Sequence, residues 1–198
     1  MSSTAAGLPP DLAHRLADSG LRIIITGASG WIGLATLEML AAAIGSGWQD
    51  RVHAFGSSAR RLDLGGGLTI DQRPLPSLAD LSPAPSLLLH LAFLTKDKVE
   101  GMTEADYVAA NQAIADQVER ALLPLDVKAL WVASSGAAYR ADDDTAAPAM
   151  QLYGRLKRDD EDRFAAWAVA NGRRAVITRV FNISGRHINK PQHYALAA

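Results

Sequence analysis

Leu21-Arg22-Ile23-Ile24-Ile25-Thr26-Gly27-Ala28-Ser29-Gly30-Trp31-Ile32-Gly33 decides how this 198-residue chain is read. The opening residues are a short apolar run rich in β-branched side chains, the pattern of a strand buried on both faces of a parallel sheet. The run leads directly into three glycines spaced Gly-x-x-Gly-x-x-Gly. From Gly30 to Ala43 the residues are helix formers, stopped at Gly45-Ser46-Gly47. In a strand–turn–helix setting the first glycine permits a tight turn. The second lets the backbone approach a pyrophosphate, and the third lets helix and strand pack closely. Unpaired N–H groups and a partial positive charge at the helix start suit phosphate.

The same rhythm continues along the chain. Val52-His53-Ala54-Phe55 reads as a second strand and Leu68-Thr69-Ile70 as a weak third. Leu87-Leu88-Leu89-His90-Leu91 is a fourth, followed by a long helix from Thr103 to Leu123 that Pro124 ends. Ala129-Leu130-Trp131-Val132-Ala133 is a fifth strand, Pro148 to Ala170 a helix stopped by Asn171-Gly172, and Ala175-Val176-Ile177-Thr178 a sixth strand. Strands alternating with helices predict an α/β, doubly wound parallel sheet of Rossmann type with right-handed crossovers. Residues 1–20 read as an N-terminal extension with a short helix from Asp11 to Ser19. Residues 21–185 form the dinucleotide-binding domain, and 186–198 the start of a further lobe.

Composition removes several function classes. The chain is 48% hydrophobic and 21% charged with a formal net charge of −1, so it carries no basic footprint for nucleic acid or an anionic membrane. With no cysteine there are no disulfides, no thiolate catalysis and no Cys-based metal site. His187 and His193 have no partners in sequence that would make a metal site. No apolar run approaches the ~18 residues of a membrane span, and Met1 to Pro10 lacks the layout of a secretory signal. The expectation is a cytoplasmic protein without a metal.

The chemistry-bearing residues lie downstream of the glycine turn. Tyr153 and Lys157 are four apart on a predicted helix and share one face. A free tyrosine, with a pKa of about 10, is a poor base near neutrality. A nearby ammonium, together with an oxidised nicotinamide cation, favours the phenolate. Ser135, at the end of the fifth strand, is placed to hydrogen-bond a substrate hydroxyl or carbonyl oxygen. The set Ser135, Tyr153 and Lys157 predicts proton transfer coupled to hydride transfer at one carbon. At the end of the second strand Phe55-Gly56-Ser57-Ser58-Ala59-Arg60-Arg61 offers no carboxylate for a ribose hydroxyl, and Asp63 comes only after the arginines. Ser57 and Arg60 therefore point to NADP, with NAD as the alternative.

These stretches resemble the short-chain dehydrogenase/reductase superfamily, and within it the extended, NAD-dependent epimerase/dehydratase branch. The matching residues are Thr26 to Gly33, His90-Leu91-Ala92, Ser134-Ser135-Gly136-Ala137-Ala138-Tyr139, Tyr153-Gly154-Arg155-Leu156-Lys157 and Arg179-Val180-Phe181-Asn182. The resemblance implies that Gly27, Gly30, Trp31, Ile32 and Gly33 line the pyrophosphate, that Leu91 and Ala92 flank the cofactor, and that Tyr153 and Lys157 meet its nicotinamide end. It implies substrate contacts from Ser135 and Asn182, a supporting role for Asn111, and a packed, hydrogen-bonded His90. The substrate it implies is a small molecule, a nucleotide-linked sugar, acted on by an NAD(P)-dependent oxidoreductase or epimerase.

Dehydratases of the branch carry an Asp-Glu pair where Gly136-Ala137 stands here, which disfavours dehydration. The two long helices correspond to a pair that builds a homodimer interface in relatives. Leu122, Phe164 and Trp167 are candidates for sealing that contact or for the ordinary core. Extended members also continue for a hundred residues or more beyond the Arg-x-x-Asn strand. A fragment, an absent lobe, and a catalytically inactive dinucleotide-binding sensor all fit that departure.

Overall fold

The structure is a computed structural model that describes residues 7–95, 101–181 and 183–188. It is built on a seven-stranded sheet: β1 (Arg22–Thr26), β2 (Val52–Gly56), β3 (Arg60–Gly65), β4 (Leu68–Pro74), β5 (Ser86–His90), β6 (Val127–Ser135) and β7 (Arg174–Val180). The strand order is β3-β4-β2-β1-β5-β6-β7. All neighbours run parallel except β3, which pairs antiparallel with β4. The order reverses between β1 and β5, and in such sheets the crevice beyond the carboxyl ends at the reversal is where ligands bind.

The expected doubly wound sheet is present with one strand more than the sequence reading gives. Only Leu62 and Leu64 of β3 are buried, while Arg60, Arg61 and Asp63 face solvent. So short an alternation is faint in sequence. The turn that makes it a hairpin, Gly65-Gly66-Gly67 with all three φ positive, is the signal that was there to read.

The helices are α1 (Pro10–Asp18), α2 (Trp31–Ile44), α3 (Trp48–Arg51), α4 (Glu104–Leu122) and α5 (Pro148–Ala170). Two apolar clusters sandwich the sheet. On one face α4 and α5 deliver Ala115, Val118, Leu122, Phe164 and Trp167 onto Ile24, Leu88, Leu130 and Val132. On the other, α2 covers Ile23, Ile25, Val52, Ala54 and the β3 leucines. Leu122 and Phe164 are fully buried within this single chain, so of the two roles open to Leu122, Phe164 and Trp167 the structure gives the core.

Arg51 ties the N-terminal helix down by donating to the carbonyls of Leu16, Ala17 and Leu21. At the far edge β7 packs Ala175 and Ile177 inward, while Val176 on its opposite face is 57% exposed. No helix among the described residues is long and apolar enough to cross a membrane.

Candidate functional site

The glycine turn leaves β1 at its carboxyl end. Gly27 has φ +74, and a Cβ there would stand 2.6 Å from the Leu91 carbonyl carbon. Only glycine satisfies both constraints. That close approach locks the turn against the end of β5: Leu91 N–H donates to the Thr26 carbonyl (3.1 Å) and Ala92 N–H to Thr26 Oγ1 (3.4 Å). A Cβ on Gly33 would come within 2.5 Å of the Ala28 carbonyl, so the third glycine sets the helix–turn distance. Ala28 N–H in turn donates to the Phe55 carbonyl, joining the turn to the end of β2.

α2 begins at Gly30 with no side-chain cap and no acid in its first turn. Its first N–H groups are thus not capped from within the helix, and the local charge is not cancelled by a carboxylate. A cradle whose side chains are excluded by backbone, opening onto a helix start with no side-chain cap and no acid, fits a pyrophosphate. Trp31 and Ile32, the first two residues of α2, are half-buried at this spot.

At the β2 end Ser57 and Arg60 are exposed, and Arg60 donates to Ser58 Oγ (3.2 Å). Gly56 faces the side chain of Gln72, which fills the volume a side chain at position 56 would need. Asp63 accepts from Gly65 N–H at the hairpin turn, so it is engaged away from the β2 end.

The other half of the site stands on β5, β6 and α5. Lys157 is 7% exposed and donates to the Ala133 carbonyl (3.1 Å), two residues before Ser135. Its ammonium lies 3.7 Å from the ring centroid of Phe93, and that ring meets Tyr153 edge-on with centroids 5.5 Å apart. Asn111 of α4 holds the loop bearing Phe93, accepting from Leu94 N–H (2.8 Å) and donating to its carbonyl. Ser135 Oγ accepts from Ala137 N–H, which caps the 3₁₀ turn Gly136–Arg140.

Burial pushes the Lys157 ammonium down to about 8, opposed by the charges of Asp160 and Glu161. Asp160 is pushed up to about 6 by burial, against the pull of Lys157 and Arg163. Glu161 is held below the usual carboxylate range, first by its bond from Arg179 and also by its bond from Ser134. His90 shares a 2.8 Å hydrogen bond with Thr26 and packs edge-on against Phe164, the buried and bonded histidine expected.

Of the residues singled out in sequence, Gly27, Gly30, Trp31, Ile32, Gly33, Leu91, Ala92, Ser135, Tyr153 and Lys157 all stand at the carboxyl edge of the sheet. Ser57 and Arg60 are on its rim, and Asn182 lies outside the described residues. Phe93, Gln72 and Glu161 are additions. Glu161 had a readable signal, a carboxylate one turn beyond Lys157 on the inward stripe of α5. Phe93 had none. No cluster of His, Asp or Glu suited to a metal ion occurs among the described residues.

The profile of the NAD dependent epimerase/dehydratase family matches residues 23–197. The chain belongs to that family. Solved structures agree on the fold of this NAD-dependent epimerase/dehydratase family member. A UDP-galactose 4-epimerase superposes with a TM-score of 0.62 at 19% identity, over 85% of this chain and 58% of its own. The epimerase Mth375 of Methanothermobacter thermautotrophicus gives 0.65 at 15%, over 94% and 61%. A UDP-glucose 4-epimerase from Brucella ovis in complex with NAD gives 0.61 at 23%, over 84% and 53%. The chain thus spans less than two thirds of each of these relatives. No curated protein matches it.

Proposed function

We propose that this family member is an NAD(P)-dependent oxidoreductase or epimerase acting at a hydroxyl-bearing or carbonyl carbon of a nucleotide-linked sugar. The observation that carries the proposal is the buried Lys157, fixed to the Ala133 carbonyl on the same α5 face as Tyr153 and beside the end of β6 that bears Ser135. The dinucleotide, when bound, supplies or accepts the hydride.

The protein groups handle the proton and the geometry. Lys157, desolvated but charged below about pH 8, favours the phenolate of Tyr153, which takes the proton of a substrate hydroxyl or returns it to a carbonyl. Ser135 Oγ keeps its proton for the substrate oxygen while accepting from Ala137 N–H. Phe93 shields the Tyr153–Lys157 pair from water on one side. The cradle at Gly27, Gly30, Trp31, Ile32 and Gly33 holds the pyrophosphate, with Leu91 and Ala92 alongside, and Asn182 joins Ser135 on the substrate.

Two further observations refine the reading. A side chain at position 136 would run into the Phe181 ring, which supports oxidoreduction or epimerisation over dehydration. The filled space at Gly56 and the exposed Arg60 beside Ser58 support NADP over NAD, whose ribose hydroxyls would find no carboxylate there. The nucleotide-sugar class rests on the solved relatives, several of which are described as UDP-sugar epimerases. A homodimer through α4 and α5 completes the proposal; a monomeric mass at micromolar concentration overturns that part.

One competing reading is a dinucleotide-binding protein on the same fold without turnover. Assaying hydride transfer with NADPH and NADH across a panel of carbonyl and UDP-sugar substrates separates the two. The enzymatic reading expects turnover that Tyr153→Phe removes. Turnover indifferent to that change sinks the mechanism, and dinucleotide binding without any turnover favours the second reading.

A further inference from the structure

Residues 183–188 make a connection that the dinucleotide reading leaves unused. Phe181, just after β7, lies on Gly136 at the end of β6, where a Cβ would stand 2.5 Å from its ring. A few residues later a Cβ on Gly185 would stand 3.9 Å from the Trp31 ring, at the first turn of α2. The chain therefore runs between the two ends of the candidate site, from the strand that carries Ser135 to the helix that opens the phosphate cradle. A dinucleotide reaching from that cradle to Lys157 must lie along the same line.

The far end of the segment is fastened. Arg186 Nη1 is 3.1 Å from Glu38 Oε1, and His187 Nε2 is 3.0 Å from Glu38 Oε2 without the alignment of a hydrogen bond. The Glu38 side chain is only 11% exposed, so a mid-helix carboxylate of α2 is turned inward to meet the Arg186 guanidinium. The Arg186 guanidinium also reaches the β3–β4 turn, where a Cβ on Gly65 would come within 3.2 Å of its Nη2.

We infer that Glu38 is a positioning residue for the dinucleotide: through Arg186 it fastens residues 183–188 across the mouth of the crevice and sets how fast the bound dinucleotide leaves. The inference rests on the cofactor reading above. Glu38 touches neither cofactor nor substrate, and it acts by holding the segment that does. Losing one good, partly exposed ion pair speeds opening by about fivefold.

The test is stopped-flow displacement of bound NADPH, or of NADH if that binds better, followed by nicotinamide emission. Glu38→Gln is compared with wild type and with Arg186→Gln, whose half-exposed side chain leaves the core intact. Both variants are expected to release the dinucleotide about fivefold faster, and the exchanged pair Glu38→Arg with Arg186→Glu to restore slow release. In the unliganded protein Glu38→Gln is expected to quicken tryptic cleavage after Arg186. Normal binding with unchanged release rates in both single variants overturns the role of Glu38 alone. A wild-type protein that binds neither dinucleotide overturns the cofactor reading and this inference together.

Discussion

Replacing His90 with asparagine should make the protein markedly less sensitive to acid. His90 is 3% exposed, bonded to Thr26 and packed on Phe164. Burial first, and then the charge of Lys157, push its imidazole from the ordinary 6.5 down to about 3. The unfolded chain therefore takes up a proton near pH 6.5 that the folded chain refuses until about pH 3. The stability conferred by the neutral, buried imidazole is complete above pH 6.5 and is lost progressively as pH falls towards 3.

Between pH 7 and pH 5 the loss is about 2 kcal/mol, one and a half decades of proton concentration at about 1.4 kcal/mol each. Against a typical total of about 5–15 kcal/mol that is readily measured. Asp160 works in the opposite direction: its carboxyl is pushed up to about 6, so the folded chain binds that proton first and gains stability as pH falls from 6 towards 4. Comparing variant with wild type cancels that contribution. Asparagine keeps a hydrogen-bonding group for Thr26 but cannot titrate.

Urea midpoints at pH 7 and pH 5, for wild type and His90→Asn, should differ in their pH response by about 2 kcal/mol. Any fixed cost of the smaller side chain appears equally at both pH values. Equal pH responses would refute the claim that a neutral imidazole is what the turn around Thr26 requires.

Gly27→Ala should abolish dinucleotide binding by fluorescence titration and lower stability by about 1–3 kcal/mol, because it combines a positive φ with a backbone collision; binding within twofold of wild type contradicts the cradle. Turnover should fall as pH rises through about 8, where Lys157 loses its proton, and a rate that stays level to pH 9.5 means the ammonium is not needed. Glu161→Gln should cost about 2 kcal/mol by weakening the bonds from Arg179 and Ser134, read from urea unfolding at pH 7.

Much of this architecture was readable because it rests on local rules. A buried parallel strand announces itself as an apolar run, as Ile23-Ile24-Ile25 does, and the Tyr153–Lys157 spacing needs only a helix to become a shared face. The bounds predicted for the last long helix are those observed. What escaped depends on partners distant in sequence. Gln72 becomes meaningful only beside Gly56, Phe93 only beneath Lys157, and Glu38 only when Arg186 arrives from the other end of the chain. The hairpin strand β3 escaped for another reason, since an edge strand with two buried leucines has too little apolar pattern to stand out from a loop.

The exposed outer face of β7 bears on how the polypeptide behaves in concentrated solution. An outermost strand offers unpaired backbone donors and acceptors to any extended segment that meets it. Val176, with its bare side chain, is the point where such an encounter would gain apolar contact. Arg174, exposed at the start of the strand, sets a charge beside it that disfavours stacking of identical edges. A lysine at position 176 is accordingly the first change to make where this chain precipitates, since it adds a charge beside Arg174 on the exposed face of that strand without touching the sequence that carries the chemistry.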